Sequence, residues 1–230
     1  MTAAEHFPWF HPAMLIRPNR VSEQSAWKGH IPFAAWIVAV TQPTVLVELG
    51  THWGDSYFAF CQAAQEQTLR AKFFAVDTWR GDEHAGHYDD SVFNNVCQHN
   101  QRYAEFSSLL RMTFDEAMNE FDDGTVDLLH IDGLHTYEAV RHDFEAWLPK
   151  MSKHGVVLFH DTEERGRDFG VWRLWAELKN RYPSFGFEHS HGLGILFLGE
   201  ALPTKIQSLL AEPELAQSAF RDQARRLGFE

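Results

Sequence analysis

With 230 residues, 44% of them hydrophobic and nineteen of them Phe, the chain has the material of one well-packed domain and not of a disordered one. A net charge of −12 speaks against nucleic acid as a partner, since neutralising phosphates needs a basic face, and against docking on anionic lipid. Two cysteines, Cys61 and Cys97, are too few for a disulfide framework, and the sequence shows neither a membrane-spanning run nor a leader, so a reducing cytoplasm is the expected setting.

Residues 1–43 contain Gly29-His30-Ile31-Pro32, with Pro32 suited to the first turn of a helix running to about Val40. A helix ahead of the main block can cover a pocket or simply pack on the core. The run Val45-Leu46-Val47-Glu48-Leu49-Gly50-Thr51-His52-Trp53-Gly54-Asp55-Ser56 then predicts a buried strand over about 44–49, a tight turn and a helix to about residue 67. Lys72 to Asp77 reads as a second strand, Leu109 to Met112 as a third and Val126 to Asp132 as a fourth. Tyr137, Val140, Phe144, Trp147 and Leu148 recur at helical spacing, giving an amphipathic crossover helix over about 136–148.

Gly155 to His160 is near-continuously apolar, as a central strand covered on both faces should be. Val171, Leu174, Trp175 and Leu178 mark another helix, and 185–190 with 192–198 form a closing antiparallel hairpin. Residues 203–227 read as a charged amphipathic helix for packing or homo-oligomer contact. The expected fold is α/β: a doubly wound, mostly parallel seven-stranded sheet ending in the hairpin. An N-terminal segment 1–43 and a C-terminal helix in 201–230 flank the 44–200 block, all within one globular domain.

Function is carried by where the acids fall. Glu48, Asp77, Asp132 and Asp161 each close an apolar run, and in a parallel sheet those ends lie along the ligand-binding edge. The first turn reads E-x-G-x-x-x-G, not the G-x-G-x-x-G of a dinucleotide site. An acid there suits a ligand with a cationic amino-acid end and free hydroxyls, which S-adenosylmethionine has. Asp77 sits where an acid meets ribose hydroxyls.

Asp132 and Asp161, on neighbouring strands about 4.8 Å apart, would share one mouth. There a divalent ion can bridge them, Mg²⁺ or Mn²⁺ on oxygen ligation and a softer metal if His160 joins. Successive strand residues face opposite sides, so His160 and Asp161 can both ligate only where the strand has loosened; otherwise His160 is a core histidine. His135, three residues past Asp132, is placed as a general base. A metal-dependent oxygenase using His135, His160 and Asp161, and a non-catalytic module that binds cofactor or glycan, are the competing readings.

Together Val47-Glu48-Leu49-Gly50-Thr51, Asp77-Thr78-Trp79-Arg80-Gly81-Asp82, His130-Ile131-Asp132-Gly133-Leu134-His135-Thr136-Tyr137 and Phe159-His160-Asp161-Thr162 resemble class I S-adenosylmethionine-dependent methyltransferases. Within them they look like the branch related to macrolide-sugar O-methyltransferases and cephalosporin-hydroxylase-like proteins, over about Gly29 to Leu198. The resemblance implies that Glu48, Gly50 and Asp77 hold the cofactor, that Asp132 and Asp161 ligate a divalent metal, and that His135 deprotonates a substrate hydroxyl. The cofactor positions are then Glu48, Gly50, Thr51, Gly54 and Ser56 on the first turn and Asp77, Thr78 and Trp79 on the second. The sugar methyltransferases commonly carry two adjacent acids where this chain has His160-Asp161. The donor-rich stretch from Gly81 to Tyr88 resembles a substrate loop. The expected reaction is transfer of a methyl group to a hydroxyl of a small polar acceptor, a sugar or glycoside.

Overall fold

Each apolar run closed by an acid becomes a strand of one sheet. In a computed structural model describing residues 7–23, 25–199 and 201–229, the strands are β1 (Val45–Leu49), β2 (Lys72–Asp77), β5 (Ser107–Arg111), β6 (Val126–Ile131), β7 (Met151–His160), β8 (Ser184–Phe187) and β9 (Leu193–Phe197). Their order is β5-β2-β1-β6-β7-β9-β8, with the first five parallel and β9 antiparallel to both of its neighbours. This is the seven-stranded sheet with a closing hairpin that the sequence predicts, and β6 does lie between β1 and β7. A separate two-stranded ribbon pairs β3 (Gly81–Asp82) with β4 (Gly86–His87).

The helices divide between the two faces by the parity of the strand residues. Leu46, Leu128 and Leu158 point into a layer built from α1 (Ile31–Thr41), α2 (Asp55–Glu66) and the chain before α1, including Trp9 and Trp27. Val47, Leu49, Leu129 and Val157 point the other way, onto α5 (Tyr137–Trp147) and α6 (Val171–Leu178). Val140, Phe144 and Trp147 of α5 are buried against the sheet, the apolar stripe expected of a crossover helix. Helix α1 is apolar all round and buried from Ile31 to Ala39, with Pro32 in its first turn. It is a core helix, and the stretch before it, not α1 itself, reaches the ligand-binding edge.

Three further elements depart from the sequence reading. Helix α3 (Asp90–Asn100) buries only Val92 and Val96, too few apolar positions to announce a helix. A short helix, α4 (Phe114–Ala117), is fixed by a reciprocal capping box between Thr113 and Glu116. The C-terminal stretch is two helices, α7 (Thr204–Ala211) and α8 (Pro213–Arg226), because Pro213 cannot continue α7 but can begin α8. Among the described residues no helix is long and apolar enough to cross a membrane.

Candidate active site at the carboxyl edge of the sheet

The turn after β1 is held by backbone bonds to both neighbouring strands. The Gly50 N–H donates to Val76 O at 2.9 Å, and the Asp132 N–H donates to Leu49 O at 2.8 Å. Gly50 has φ +86°, and a Cβ there would stand 2.1 Å from the Asp132 carbonyl oxygen, so only glycine fits between the two loops. Asp77 ties this turn to the next one. Its Oδ2 accepts from the Thr51 and His52 N–H groups, each at 2.9 Å, and its Oδ1 from the Trp79 N–H at 2.6 Å.

These turns open onto a cavity of about 560 Å³, within the range of small-molecule sites. Of the expected cofactor residues, Gly50, Thr51, Gly54, Ser56, Asp77 and Thr78 line it. Glu48 and Trp79 do not. Glu48 shares the face of Leu46, so its carboxylate turns inward under Trp27, where Oε2 accepts from His130 Nδ1 at 2.8 Å and the side chain is wholly buried. The Trp27 indole N–H donates to the other ring nitrogen of His130 at 3.1 Å. Burial pushes the Glu48 carboxyl up, and the bond and charge of His130 pull it back only in part. Trp79 is fully buried and donates its indole N–H to His52 O at 3.0 Å, shaping the turn from behind.

Asp132, His135, His160 and Asp161 all face the cavity and converge. One donor atom each from Asp132, His135 and Asp161 lie within 4.8 Å of one another. His135 Nε2 is 2.9 Å from Asp161 Oδ2 and 3.3 Å from Asp132 Oδ1. His160 Nδ1 is 3.4 Å from each of those carboxylate oxygens, while its Nε2–H donates to Ser190 O at 3.0 Å. Asp161 has φ +60°, so the chain has left the strand conformation there. That turn is what lets residues 160 and 161 face the same point.

In this cluster two carboxylates are balanced by two imidazoles. Burial opposes ionisation of every member, yet the mutual charges outweigh it. His160 is held charged by Asp132 and Asp161, and both carboxyls are held well below their usual range. His135 is likewise pulled down by burial but raised, to about 9, by its bonds to the same two acids. The two imidazoles thus supply positive charge where two adjacent carboxylates require it.

Several lining residues were not legible in the sequence. Ser22, Ser25 and Trp27 come from the chain before α1, where nothing marked a ligand contact. His84 lies in the stretch singled out as a substrate loop, whereas Arg167 and Phe169 had only the flanking Gly166 and Gly170 as a turn signal.

Comparisons with known proteins bear on the fold and the family. Residues 47–162 match the family described as a methyltransferase domain. A protein of Sinorhizobium fredii, y4gI, is 52% identical over 188 residues, which is 82% of this chain and 21% of that protein. The chain therefore spans about a fifth of the length of that relative. A methyltransferase from Geobacter sulfurreducens superposes with a TM-score of 0.55 at 13% identity, covering 77% of this chain and 79% of the other. The O-methyltransferase TomG from Streptomyces achromogenes, in complex with SAM, superposes with a TM-score of 0.54 at 14% identity, covering 86% of this chain and 100% of the other. At those identities the likeness is one of fold, and the family match is what places the sequence: the chain belongs to the class I S-adenosylmethionine-dependent methyltransferases, as a methyltransferase domain.

Proposed function

We propose that the domain transfers a methyl group from S-adenosylmethionine to a hydroxyl of a small polar acceptor, a sugar or glycoside, with a divalent cation beside the reacting oxygen. The observation that carries this reading is the convergence of Asp132, His135 and Asp161 within 4.8 Å, on the rim of a cavity that also contains the Gly50 turn and Asp77. The residues fit both groups. The left-handed Gly50 packs the first turn against the Asp132 loop, so that Gly50, Thr51 and Gly54 line the cavity beside Asp77. The paired carboxylates of Asp132 and Asp161 are oxygen donors suited to a hard divalent cation, which would replace the positive charge the imidazoles supply.

When bound, the cofactor supplies an electrophilic methyl on a sulfonium that needs no covalent help from the protein. A cation held by Asp132 and Asp161, with His160 Nδ1 facing them, would acidify an acceptor hydroxyl. What the chain itself contributes is holding, aligning and proton removal. Asp77 and the glycine turn set the cofactor's position and Trp27 and the 81–88 ribbon limit water, while His135, whose positive charge a cation on Asp132 and Asp161 would replace, would then be free to take the acceptor's proton. The cavity walls support a polyol acceptor, because Asp82, His84, Thr113, Glu164 and Arg167 offer hydrogen-bonding groups of both kinds. Arg167 is the one arginine or lysine among the described lining residues, which weighs against a polyphosphorylated acceptor.

A transfer assay with methyl-labelled S-adenosylmethionine over a panel of free sugars, alkyl glycosides and activated sugars, with Mg²⁺ or with chelator, tests the reading. Label is expected on a hydroxyl oxygen, and more of it with the cation present. Tight cofactor binding with no label on any hydroxyl acceptor overturns the O-transfer reading. Oxygen consumption without methyl transfer favours the oxygenase instead.

A further inference from the structure

The mouth of the cavity carries a cation that its acidic surroundings leave unpaired. Arg167 lines the cavity from the loop between β7 and α6, at φ +49°, a left-handed conformation that costs an arginine energy. The residue is exposed, yet its side chain is held from two sides. Nη1 donates to His84 O at 3.2 Å, and Cζ lies over the Phe169 ring, 4.9 Å from its centroid. A guanidinium has five N–H donors, and the His84 carbonyl takes one of them.

The neighbouring acids are engaged elsewhere. Asp168 Oδ1 lies 2.6 Å from His84 Nε2, Glu164 Oε1 is bonded to His191 Nδ1, and Glu163 pairs with Arg165. Among the described residues no carboxylate forms an ion pair with Arg167, in a chain whose net charge is −12. Imidazoles thus occupy the acids of this loop, and the guanidinium keeps its remaining donors for something that is not part of the fold.

Its place in the cavity says what that is. Phe169 packs against Arg167 and also stacks on His135, with centroids 4.7 Å apart and an interplanar angle of 4°. One phenyl ring therefore links the guanidinium to the imidazole beside Asp132 and Asp161. The cavity has two poles: paired carboxylates on the sheet edge, and a planar cationic fork at the mouth. That fork matches a carboxylate bidentately, and a fork already braced by a carbonyl and a phenyl ring loses less freedom on binding than a loose one. A single guanidinium answers a single negative charge.

We propose that Arg167 binds a carboxylate of the acceptor, so that the sugar taken by this site is an acidic one, a uronic acid or uronoside. Its carboxylate lies at the mouth and its reacting hydroxyl at Asp132 and Asp161. The hydroxyl half of this statement rests on the methyl-transfer reading, whereas the anion half stands on Arg167.

Calorimetry on the domain saturated with S-adenosylhomocysteine and Mg²⁺ tests it without turnover. The ligands are the methyl glycosides of glucuronic, galacturonic and mannuronic acid, each against the glycoside of its neutral parent sugar, which differs only in the oxidation state of C6. At least one uronoside should bind about tenfold more tightly than its neutral partner, the low end for hydrogen bonds to a charged group because the mouth is open to water. Arg167→Gln, which keeps an N–H donor but no charge, should bring that ratio close to one. Arg167→Lys, which keeps the charge but not the fork, should fall between. An arginine that only braced the ribbon would, when replaced, weaken both members of a pair and leave their ratio as it was.

With labelled S-adenosylmethionine the same preference should appear in kcat/KM, carried by KM. The proposal fails if no uronoside binds more tightly than its neutral partner, or if the preference survives in Arg167→Gln. A preference that Arg167→Gln abolishes, with no label on any hydroxyl, upholds the anion site and overturns the transfer reading instead.

Discussion

Glu48 and His130 face each other across β1 and β6, Oε2 to Nδ1 at 2.8 Å, and neither side chain reaches solvent. Trp27 completes the chain from the other side of the imidazole. The acid that closes the first strand is thus a strut between the sheet and the N-terminal segment. Glu48→Ala should destabilise the domain by roughly 3–5 kcal/mol, since it strands a buried donor. Glu48→Gln, which keeps an accepting oxygen, should lose much less. Chemical denaturation reads both, and calorimetry should find S-adenosylmethionine affinity in the Gln variant close to parental. A stable Gln variant that binds the cofactor tenfold more weakly would return Glu48 to the cofactor's amino-acid end.

Asp77 behaves differently because its carboxylate is shared between the fold and the cavity. It accepts three backbone N–H groups from two turns and still lines the pocket. Asp77→Ala should weaken cofactor binding by about tenfold to a hundredfold, the worth of charge-assisted hydrogen bonds at roughly 1.5–3 kcal/mol. It should also lower the unfolding midpoint, because three donors lose their acceptor. Unchanged affinity in that variant would remove Asp77 from the cofactor site.

The difference between these two acids shows what the sequence can and cannot carry. Apolar runs closed by acids located β1, β2 and β6 to within a residue or so, and the Gly50–Gly54 pair located the turn. The start of β7 was hidden because Ser152, Lys153 and His154 are polar and partly exposed, so periodicity marked only the buried half. Which acid reaches the cavity depends on strand parity and on where a strand ends. Glu48 is still inside β1 and points into the helical layer, while Asp161 has already turned to φ +60° and points out. That conformational switch leaves no mark in residue type. Nor does the meeting of His84, His135 and Asp168, which takes three loops to assemble.

Asp143 gives the fold a pH dependence of its own. It lies on α5, 7% exposed, with Oδ2 3.5 Å from where a Cβ on Gly133 would stand. Burial pushes its carboxyl from the ordinary 3.8 to about 7, with the His142 charge opposing and Asp115 adding to the rise. The folded state therefore holds a proton that the unfolded chain releases, and this group's contribution falls as pH climbs from 3.8 to about 7. Asp143→Asn should be more stable than the parent at pH 7 and above, by roughly 2–4 kcal/mol. The difference should shrink to nothing below pH 4. Denaturation curves at pH 4 and pH 8 that differ from parent by the same amount would sink this account.

The catalytic centre gives the sharpest separation between binding and chemistry. His135 Nε2 sits 2.9 Å from Asp161 Oδ2, on the cavity rim, and its side-chain polar partners are Asp132, Asp161 and His84 rather than the Gly50 turn or Asp77 that would hold the cofactor. His135→Ala should therefore lower turnover by about 10²–10⁴-fold, the usual worth of general-base catalysis, while leaving cofactor affinity at its parental value. Asp161→Ala should lower turnover too, and raise the Mg²⁺ concentration at which the remaining activity saturates, because Asp132 and His160 still face the site. Turnover measured against Mg²⁺ concentration for parent and both variants reads these effects apart. Full activity in chelator, together with near-parental turnover in the His135 variant, would leave a metal-free site in which the imidazoles only neutralise the acids.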